Sequence, residues 1–186
     1  MKMKKIAAAC LAIAGMTFVS AFANADEDGT PSTLTPTNGK IEFTGSLVSS
    51  ACGLAPESSP VKVNFGEIPT SQLQASDRVG SQHAKIVLQG CDATIAKSAT
   101  VTYTPSTTDT TMKTLAAIVS DTARGVGIGL VDSGNQDVTW GEKTSPVQVT
   151  EGNTNIDFVA YLQNDTSGEV KPGAFTSTIN FQIDYQ

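Results

Sequence analysis

The sequence predicts an all-β domain, an antiparallel sandwich or barrel, from three observations. Short runs rich in Val, Ile, Thr, Phe and Tyr recur along the chain, and such residues favour a pleated, half-buried surface. Clusters of Gly, Pro, Asn, Asp and Ser separate these runs. All eight prolines lie outside the run interiors, as a sheet requires. Short strands separated by turn signals are typical of a sandwich or a barrel.

Residues 1–25 predict a secretory signal peptide. Three lysines stand near its start, an apolar stretch of 14 residues follows at 6–19, and a small-x-small cleavage site occupies 23–25. The alternative, a transmembrane anchor, is disfavoured because the stretch is short and no other apolar run replaces it. We therefore expect the mature chain to begin at Asp26.

Size and charge limit what the mature chain can be. Its 161 residues are enough for one domain with an ordinary core. The signal peptide removes three of the twelve basic residues, which leaves nine against eighteen acidic residues and a net charge of −9. This balance disfavours nucleic acid or an anionic membrane surface as a partner.

Two cysteines, Cys52 and Cys91, remain once Cys10 leaves with the signal peptide. In an exported chain an even number of cysteines predicts a disulfide bond. The closed loop of about 40 residues corresponds to roughly 4 kcal/mol of stabilisation in the chain-entropy account. The alternative, a reactive thiol pair, lacks the C-x-x-C spacing that would support it.

The first predicted strand covers residues 39–47, where Ile41, Phe43, Gly45 and Leu47 alternate with polar residues. An acidic, proline-containing stretch at 26–38 precedes it, and we expect that stretch to be flexible. The strand precedes Cys52, the first cysteine of the mature chain. Its period alone leaves open whether it is the domain's own first strand or serves another chain.

The remaining runs are placed in order along the chain. Strands are predicted at residues 61–65, 84–88, 99–103, 126–131, 147–149, 156–162 and 175–185. Residues 71–79 and 112–119 are ambiguous, because either stretch is compatible with a helical turn. In the run at 126–131, glycines alternate with Val126, Ile128 and Leu130. We expect the glycines to let a neighbouring element lie close, rather than to hold a phosphate, because no helix signal follows.

Residues suited to catalysis or metal binding are scarce. His83 is the only histidine, so any histidine-dependent catalytic arrangement would need it, and a histidine-rich zinc site is excluded. We expect His83 to be a solvated loop residue before a strand, and Trp140 to lie partly in the core rather than to stack on a sugar. The sequence therefore predicts no catalytic residues, no metal site and no cofactor, and it predicts that the chain is not an enzyme.

Four motifs spread over the mature chain resemble those of a known family. Gly45 stands seven residues before Cys52 in a G-x-I-x-F-x-G pattern, and IVLQGCD at 86–92 surrounds the second cysteine. DFVAY at 157–161 is similar to a late-strand motif of that family. Gly173 is the fourteenth residue from the end, and Tyr185 is the penultimate residue. Together with the signal peptide and the length, these motifs resemble a chaperone–usher fimbrial pilin subunit of the type 1 kind.

The resemblance implies a fold and an organisation. Pilins of this kind have an incomplete immunoglobulin-like antiparallel sandwich, which a donor strand from another subunit completes. Donor-strand complementation between a chaperone and a pilin is an established case of β-strand addition. The implied organisation is a signal peptide at 1–25, an N-terminal extension carrying the donor strand at 26–47, and a pilin domain at 48–186. The acidic stretch is long for such an extension. Either part of it stays disordered in the fibre, or cleavage falls downstream of Ala25.

The resemblance also assigns roles to individual residues. In the donor strand, Ile41, Phe43 and Leu47 would insert into a neighbour's groove, and Gly45 would fit where the groove is shallow. The last strand would form the groove wall and pair with the chaperone, through Gly173, Phe175, Ile179, Phe181, Ile183 and Tyr185. The implied partners are related or identical pilins in a head-to-tail polymer, a periplasmic chaperone and an outer-membrane usher, with no membrane insertion.

The predicted function is that of a structural subunit of a surface fimbria that supports adhesion. The subunit would be exported through the periplasm, and a major shaft subunit is favoured because the chain has a donor strand and lacks a second domain. Two alternatives stay open at this point: a minor adaptor pilin, or a secreted carbohydrate-binding β-sandwich. A secreted hydrolase has no motif to support it.

Overall fold

The computed structural model describes residues 37–75, 78–166 and 168–186. The predicted signal peptide and residues 26–36 of the predicted extension lie outside the described residues. Residues 45–186 form one compact unit, which is described here by itself. Its elements are β1 (Gly53–Leu54), a 3-10 helix (Pro56–Ser58), α1 (Thr70–Ala75), β2 (Val79–Cys91), β3 (Ser98–Pro105), β4 (Ala116–Ala117), β5 (Val126–Val131), β6 (Val147–Gln148), β7 (Gly152–Asn164) and β8 (Ile179–Tyr185).

Two antiparallel sheets build the domain. One has the strand order β1-β2-β7-β5-β4, and the other has the order β6-β3-β8. The buried residues of both sheets form a shared core, so the domain is a sandwich rather than a barrel. No helix of the part of the chain that the structure describes is long and apolar enough to cross a bilayer. The predicted all-β antiparallel sandwich is confirmed.

The long strands β2 and β7 form the centre of the larger sheet. They pair from Val79–Leu162 to Cys91–Gly152, with irregular register near both ends. The alternation that predicted β7 is observed, because the four apolar residues of one face are all buried: Ile156, Phe158, Ala160 and Leu162. Burial of this apolar face against the other sheet stabilises the packing of the two sheets.

The glycines of β5 allow close packing, as predicted. A Cβ atom at Gly127 would lie 2.7 Å from the Cβ of Leu115, and one at Gly129 would lie 2.2 Å from the Cζ of Tyr161. Neither distance is compatible with a side chain at the present backbone spacing. The glycines therefore serve packing, and in the described part of the chain no helix follows them to make a phosphate site.

The predicted disulfide bond joins Cys52 and Cys91, which are 39 residues apart. It links the chain just before β1 to the last residue of β2. The amide of Asp92 donates a 2.9 Å hydrogen bond to the carbonyl of Ala51, which extends the same connection. The C-terminus lies nearby, because the hydroxyl of Tyr185 donates to the carbonyl of Cys52 at 3.4 Å.

Asp132 organises the loop that follows β5. Its carboxylate accepts hydrogen bonds from the amides of Gly134 and Gln136, at 2.9 Å each, and of Ser145 at 2.7 Å. Burial alone would raise the pKa of Asp132, but these donors outweigh it and hold the pKa below its ordinary value. The ionised carboxylate thus stabilises the folded conformation of this loop.

Several local expectations differ from the structure. Residues 37–49 form neither helix nor strand, although a strand was predicted at 39–47. Residues 61–69 also form no strand, because no backbone in the described chain pairs with them. His83 is exposed but lies within β2, opposite Val159, and not in a loop. The turn that the sequence left open at 71–79 is the six-residue α1, whereas 112–119 holds β4 and no helix.

The helix α1 is too short to be stable alone, and tertiary contacts hold it in place. Leu73 is buried in a second apolar cluster with Val126, Ile128 and Leu162. The side-chain amide of Asn164 also donates to the carbonyl of Leu73 at 3.4 Å. This second cluster lies at the opposite end of the sandwich from the disulfide, because β2 runs from Val79 in that cluster to Cys91.

Candidate functional site

A cleft of about 870 Å³ opens into the core of the sandwich. It lies between the segment 61–65 on one side and β8 with the residues before it on the other. Large apolar side chains from both sheets line it: Val61, Val63, Phe65, Ile86, Tyr103, Ile128, Leu130, Phe158, Phe175, Ile179 and Phe181. A cleft of this size, lined by core residues, is suited to apolar side chains.

The first wall is the segment 61–65. Val61, Val63 and Phe65 are half-buried and pack against the core, while Lys62 and Asn64 are exposed. The alternation is that of an extended segment with one face inward. Because the segment belongs to no sheet of the described chain, its backbone is an edge without a ladder partner.

The second wall is β8. It pairs with β3 from Ala99–Tyr185 to Pro105–Ile179 and is the last strand of its sheet. Its other backbone edge therefore has no strand partner among the described residues. An edge of this kind exposes amide and carbonyl groups that can pair with another strand. The cleft thus lies between two unpaired edges.

The two walls run in opposite directions. Along the first wall, Val61 contacts only the main core cluster, whereas Phe65 also contacts the second cluster. Along the second wall, Phe175 contacts the second cluster and Phe181 contacts the main one. The rings of Phe65 and Phe175 lie 6.2 Å apart, which places them at the same end of the cleft. We call this the Phe65 end, and the other the Val61 end.

The floor of the cleft is uncharged and includes two aromatic rings. The rings of Tyr103 and Phe158 lie 6.0 Å apart. Burial raises the pKa of Tyr103, so its phenol stays neutral. No acidic, basic or histidine side chain of the described residues lines the cleft. An apolar occupant therefore meets no buried charge that would need a partner.

Gly173 occupies a position with no room for a side chain. A Cβ atom there would lie 2.7 Å from the amide nitrogen of Ala123 and 2.0 Å from the hydroxyl oxygen of Thr122. The chain before β8 also pairs with the segment that follows β4, because Thr176 and Val119 exchange hydrogen bonds of 2.7 and 3.0 Å. Gly173 thereby allows the close approach that shapes the Phe65 end.

The structure brings together most of the residues predicted for the groove wall. Gly173, Phe175, Ile179 and Phe181 line the cleft. Ile183 and Tyr185 lie on the same face of β8 and pack against the main core beyond it. The predicted single run at 175–185 is interrupted, because β8 begins only at Ile179.

The predicted donor residues are exposed in the isolated chain. Ile41 is 78% exposed, Phe43 is 89% exposed, and Leu47 is fully exposed. No described residue has an atom near the position of a Cβ at Gly45, so none of them requires a glycine there. Three large apolar side chains at alternate positions are therefore available to another molecule.

Sequence reasoning missed the first wall of the cleft. The alternation at 61–65 predicts a paired strand, whereas the segment pairs with no strand of the described chain. The flanking residues Pro60 and Pro69 are the signal that would have favoured an edge position, since proline is confined to edges and strand ends.

Other candidate sites contribute no chemistry. Trp140 is half-buried and packs against both apolar clusters, as predicted, and so does not form a sugar-binding platform. Among the described residues, no three His, Cys, Asp or Glu side chains come close enough to hold a metal ion. The cleft is therefore the candidate functional site of the domain.

Solved structures identify the class of this fold. A chain from the structure of a chaperone–usher pilus aligns with a TM-score of 0.72 at 21% identity, covering 83% of this chain and 99% of that chain. The P pilus rod subunit PapA aligns with a TM-score of 0.65 at 20% identity, covering 74% of this chain and 100% of that one. The domain has the immunoglobulin-like fold of pilus subunits.

Sequence comparison identifies the family. A family model described as fimbrial protein matches residues 41–186. A major fimbrial subunit of Proteus mirabilis (strain HI4320) is 46% identical over 187 residues, and the Fimbria A protein of Serratia marcescens is 33% identical over 187 residues. Each match covers 100% of both chains. The chain belongs to the fimbrial protein family.

Family membership confirms several predictions at once. The chain is a fimbrial subunit, which places it in a fimbrium on the cell surface. The family is structural, so the prediction that the chain is not an enzyme is confirmed. The secreted carbohydrate-binding sandwich is no longer needed as an alternative.

Proposed function

We propose that the subunit polymerises by donor-strand exchange, with residues 41–47 of one copy filling the cleft of another. The observation that carries the proposal is the pairing of a deep apolar cleft between two unpaired backbone edges with an exposed apolar stretch of period two. A strand in the cleft would pair with both edges and place alternate side chains in the core.

The lengths of the two parts support the proposal. The donor stretch has seven residues and spans about 20 Å when extended. The wall that includes β8 lines the cleft from Gly173 to Phe181, and its last three residues belong to β8. A strand of seven residues can follow most of this nine-residue wall. The predicted boundary between the extension at 26–47 and the domain at 48–186 is part of this proposal.

The direction of the inserted strand follows from the walls. Because they run in opposite directions, any inserted strand is antiparallel to one and parallel to the other. Antiparallel pairing with β8 is favoured, since that edge is the longer and antiparallel ladders are slightly more stable per residue. Ile41 then lies near the Val61 end and Leu47 near the Phe65 end. In this register Gly45 is assigned to a shallow part of the floor.

Burial of the donor side chains supplies the main driving force. Transfer of Ile41, Phe43 and Leu47 from water into the cleft stabilises the complex by about 5–8 kcal/mol. Each ladder hydrogen bond adds about 0.5–1.5 kcal/mol net. Because each copy gives its strand to one neighbour and takes a strand from another, the contact is heterologous and open, which generates a filament.

Before polymerisation, the cleft of each subunit needs to be filled by a strand from another protein. An empty cleft exposes apolar surface and two strand edges, which favours aggregation. We propose that a periplasmic chaperone fills it with a strand that pairs with β8, and that an outer-membrane usher catalyses the exchange. The likeness to a chaperone–usher pilus chain and to a major fimbrial subunit supports this pathway and the role of a major shaft subunit that supports adhesion.

Deletion of residues 26–47 tests the proposal in cells that make the fimbria. The truncated subunit is expected to bind its chaperone but to form no fibre and no ladder on gels of unboiled samples. A matched control carries Glu42→Ala and Thr44→Ala, which change the other face of the same stretch and should leave assembly intact. Normal fibres from the truncated subunit would overturn donor-strand exchange through this segment.

A further inference from the structure

Three exposed apolar residues are not accounted for by the cleft or by the donor stretch. Among the described residues, Val48, Ile95 and Val119 are large, apolar and about two thirds exposed, at 66%, 67% and 66%. Leu54, the other exposed residue of this kind outside the donor stretch, lines the cleft. Single exposed apolar residues are common on protein surfaces, so only their positions in the fold can indicate whether they form a contact site.

Val48 and Ile95 flank the disulfide end of the domain. The amide of Asp92 donates to the carbonyl of Ala51 at 2.9 Å, and the amide of Ile95 donates to the carbonyl of Asp92 at 3.1 Å. The turn that carries Ile95 is therefore held against the chain that follows Val48. The end of β8 lies there too, because the amide of Lys97 donates to the carbonyl of Gln186 at 2.7 Å.

Val119 lies at the opposite end of the domain. It exchanges two backbone hydrogen bonds with Thr176, and the hydroxyl of the next residue, Ser120, donates to the carbonyl of Ala174 at 2.6 Å. Ala174 and Thr176 line the cleft on either side of Phe175. Val119 therefore stands at the rim of the Phe65 end. Ile95 lies beyond the other end of β8, a strand about 20 Å long.

We propose that Val48 and Ile95 of one copy pack against Val119 of the copy whose cleft holds its donor strand. The inference rests on donor-strand exchange with the strand antiparallel to β8. In that arrangement Leu47 leaves the cleft at the Phe65 end, and the Cα of Val48 follows at about 3.8 Å. Chain connectivity thus brings the disulfide end of the donor copy to the rim where Val119 is exposed.

The occupant of this surface is a second copy of the chain, because the contact continues the proposed cleft interface. Residues 48–50 form no helix or strand, so the donor strand alone would leave a hinge between consecutive domains. An apolar contact between the disulfide end of one copy and the rim at Val119 of the next restricts motion at that hinge. The contact therefore fixes the angle between successive subunits without contributing to the cleft itself.

Cross-linking within fibres tests the contact. The double variant with Ile95→Cys and Val119→Cys is assembled in cells, and the fibres are treated with a short bis-maleimide. Because the two positions lie at opposite ends of one domain, a cross-link between them joins different copies. We expect a ladder that survives boiling in SDS and reductant in the double variant. Neither single variant should give more than a dimer.

A side-surface control and the uncross-linked fibres separate the possible outcomes. Thr139 is exposed and lies two residues before Gly141, whose amide donates to the carbonyl of Tyr103 within β3. Ile95→Cys combined with Thr139→Cys should therefore give no boiling-resistant ladder. If the double variant polymerises but stays monomeric after cross-linking and boiling, the contact is refuted while donor-strand exchange stands. If the wild-type chain forms no ladder on gels of unboiled samples, donor-strand exchange fails and the contact fails with it.

Discussion

Phe43→Ala separates the stability of a single subunit from the stability of the junction between subunits. In the isolated chain Phe43 is 89% exposed, so its removal should change the free energy of unfolding of the subunit by no more than about 0.5 kcal/mol. In a filled cleft the same side chain is part of a packed core. Phe→Ala substitutions in cores cost about 3–5 kcal/mol. Each junction should therefore weaken by roughly a hundredfold to several thousandfold.

Heating of purified fibres in SDS measures the junction directly. The fraction of subunits that leave the fibre is followed on gels across a series of temperatures, and Phe43→Ala fibres should dissociate at a lower temperature than wild-type fibres. Thr44→Ala, on the other face of the same stretch, is the matched control and should behave as wild type. Phe43→Ala fibres that dissociate at the wild-type temperature would refute the placement of this ring in a neighbour's core.

The remaining predictions concern the register, the C-terminus, the packing and the acid stability. Gly45→Trp should block polymerisation without loss of chaperone binding, because the proposed register puts Gly45 against a shallow part of the cleft, where an indole would clash; wild-type assembly rates would contradict the register. Removal of residues 185–186 should weaken chaperone capture in a pull-down, because it shortens the edge of β8. Gly129→Ala should cost about 1–3 kcal/mol in urea unfolding, because its Cβ would lie 2.2 Å from a ring atom of Tyr161. Gly53→Ala, whose Cβ would meet its nearest atom at 3.6 Å, should cost less. The pKa of Asp132 is depressed in the folded state, so its stabilisation is complete above the unfolded pKa of 3.8 and is lost as pH falls through the folded pKa. The difference in unfolding free energy between wild type and Asp132→Asn should therefore narrow as the pH is lowered from about 5 to about 2, and a constant difference would contradict the role of the charge.

Much of the fold was predictable because strand period and burial are local properties. The faces of β5 and β7 could be assigned from alternation, since the apolar residues of each face point into one core. The disulfide followed from the number of cysteines and the signal peptide. The β-sandwich class followed from short strands with turns between them.

Pairing was not predictable, because it depends on which backbones meet in space. The runs at 61–65 and 39–47 have the alternation of strands, yet neither belongs to a sheet of the described chain. The run at 175–185 was predicted as one strand, but its first residues cross toward Val119. Alternation indicates which side chains face a core. It does not indicate which strand, of the same or of another chain, pairs with the run.

A cryo-EM map of the assembled fibre tests the central claim most directly. The account predicts density for residues 41–47 of one copy between β8 and the segment 61–65 of a different copy, antiparallel to β8, with Leu47 beside Phe175. Density showing that each copy's cleft is filled by its own residues 41–47 would contradict the account.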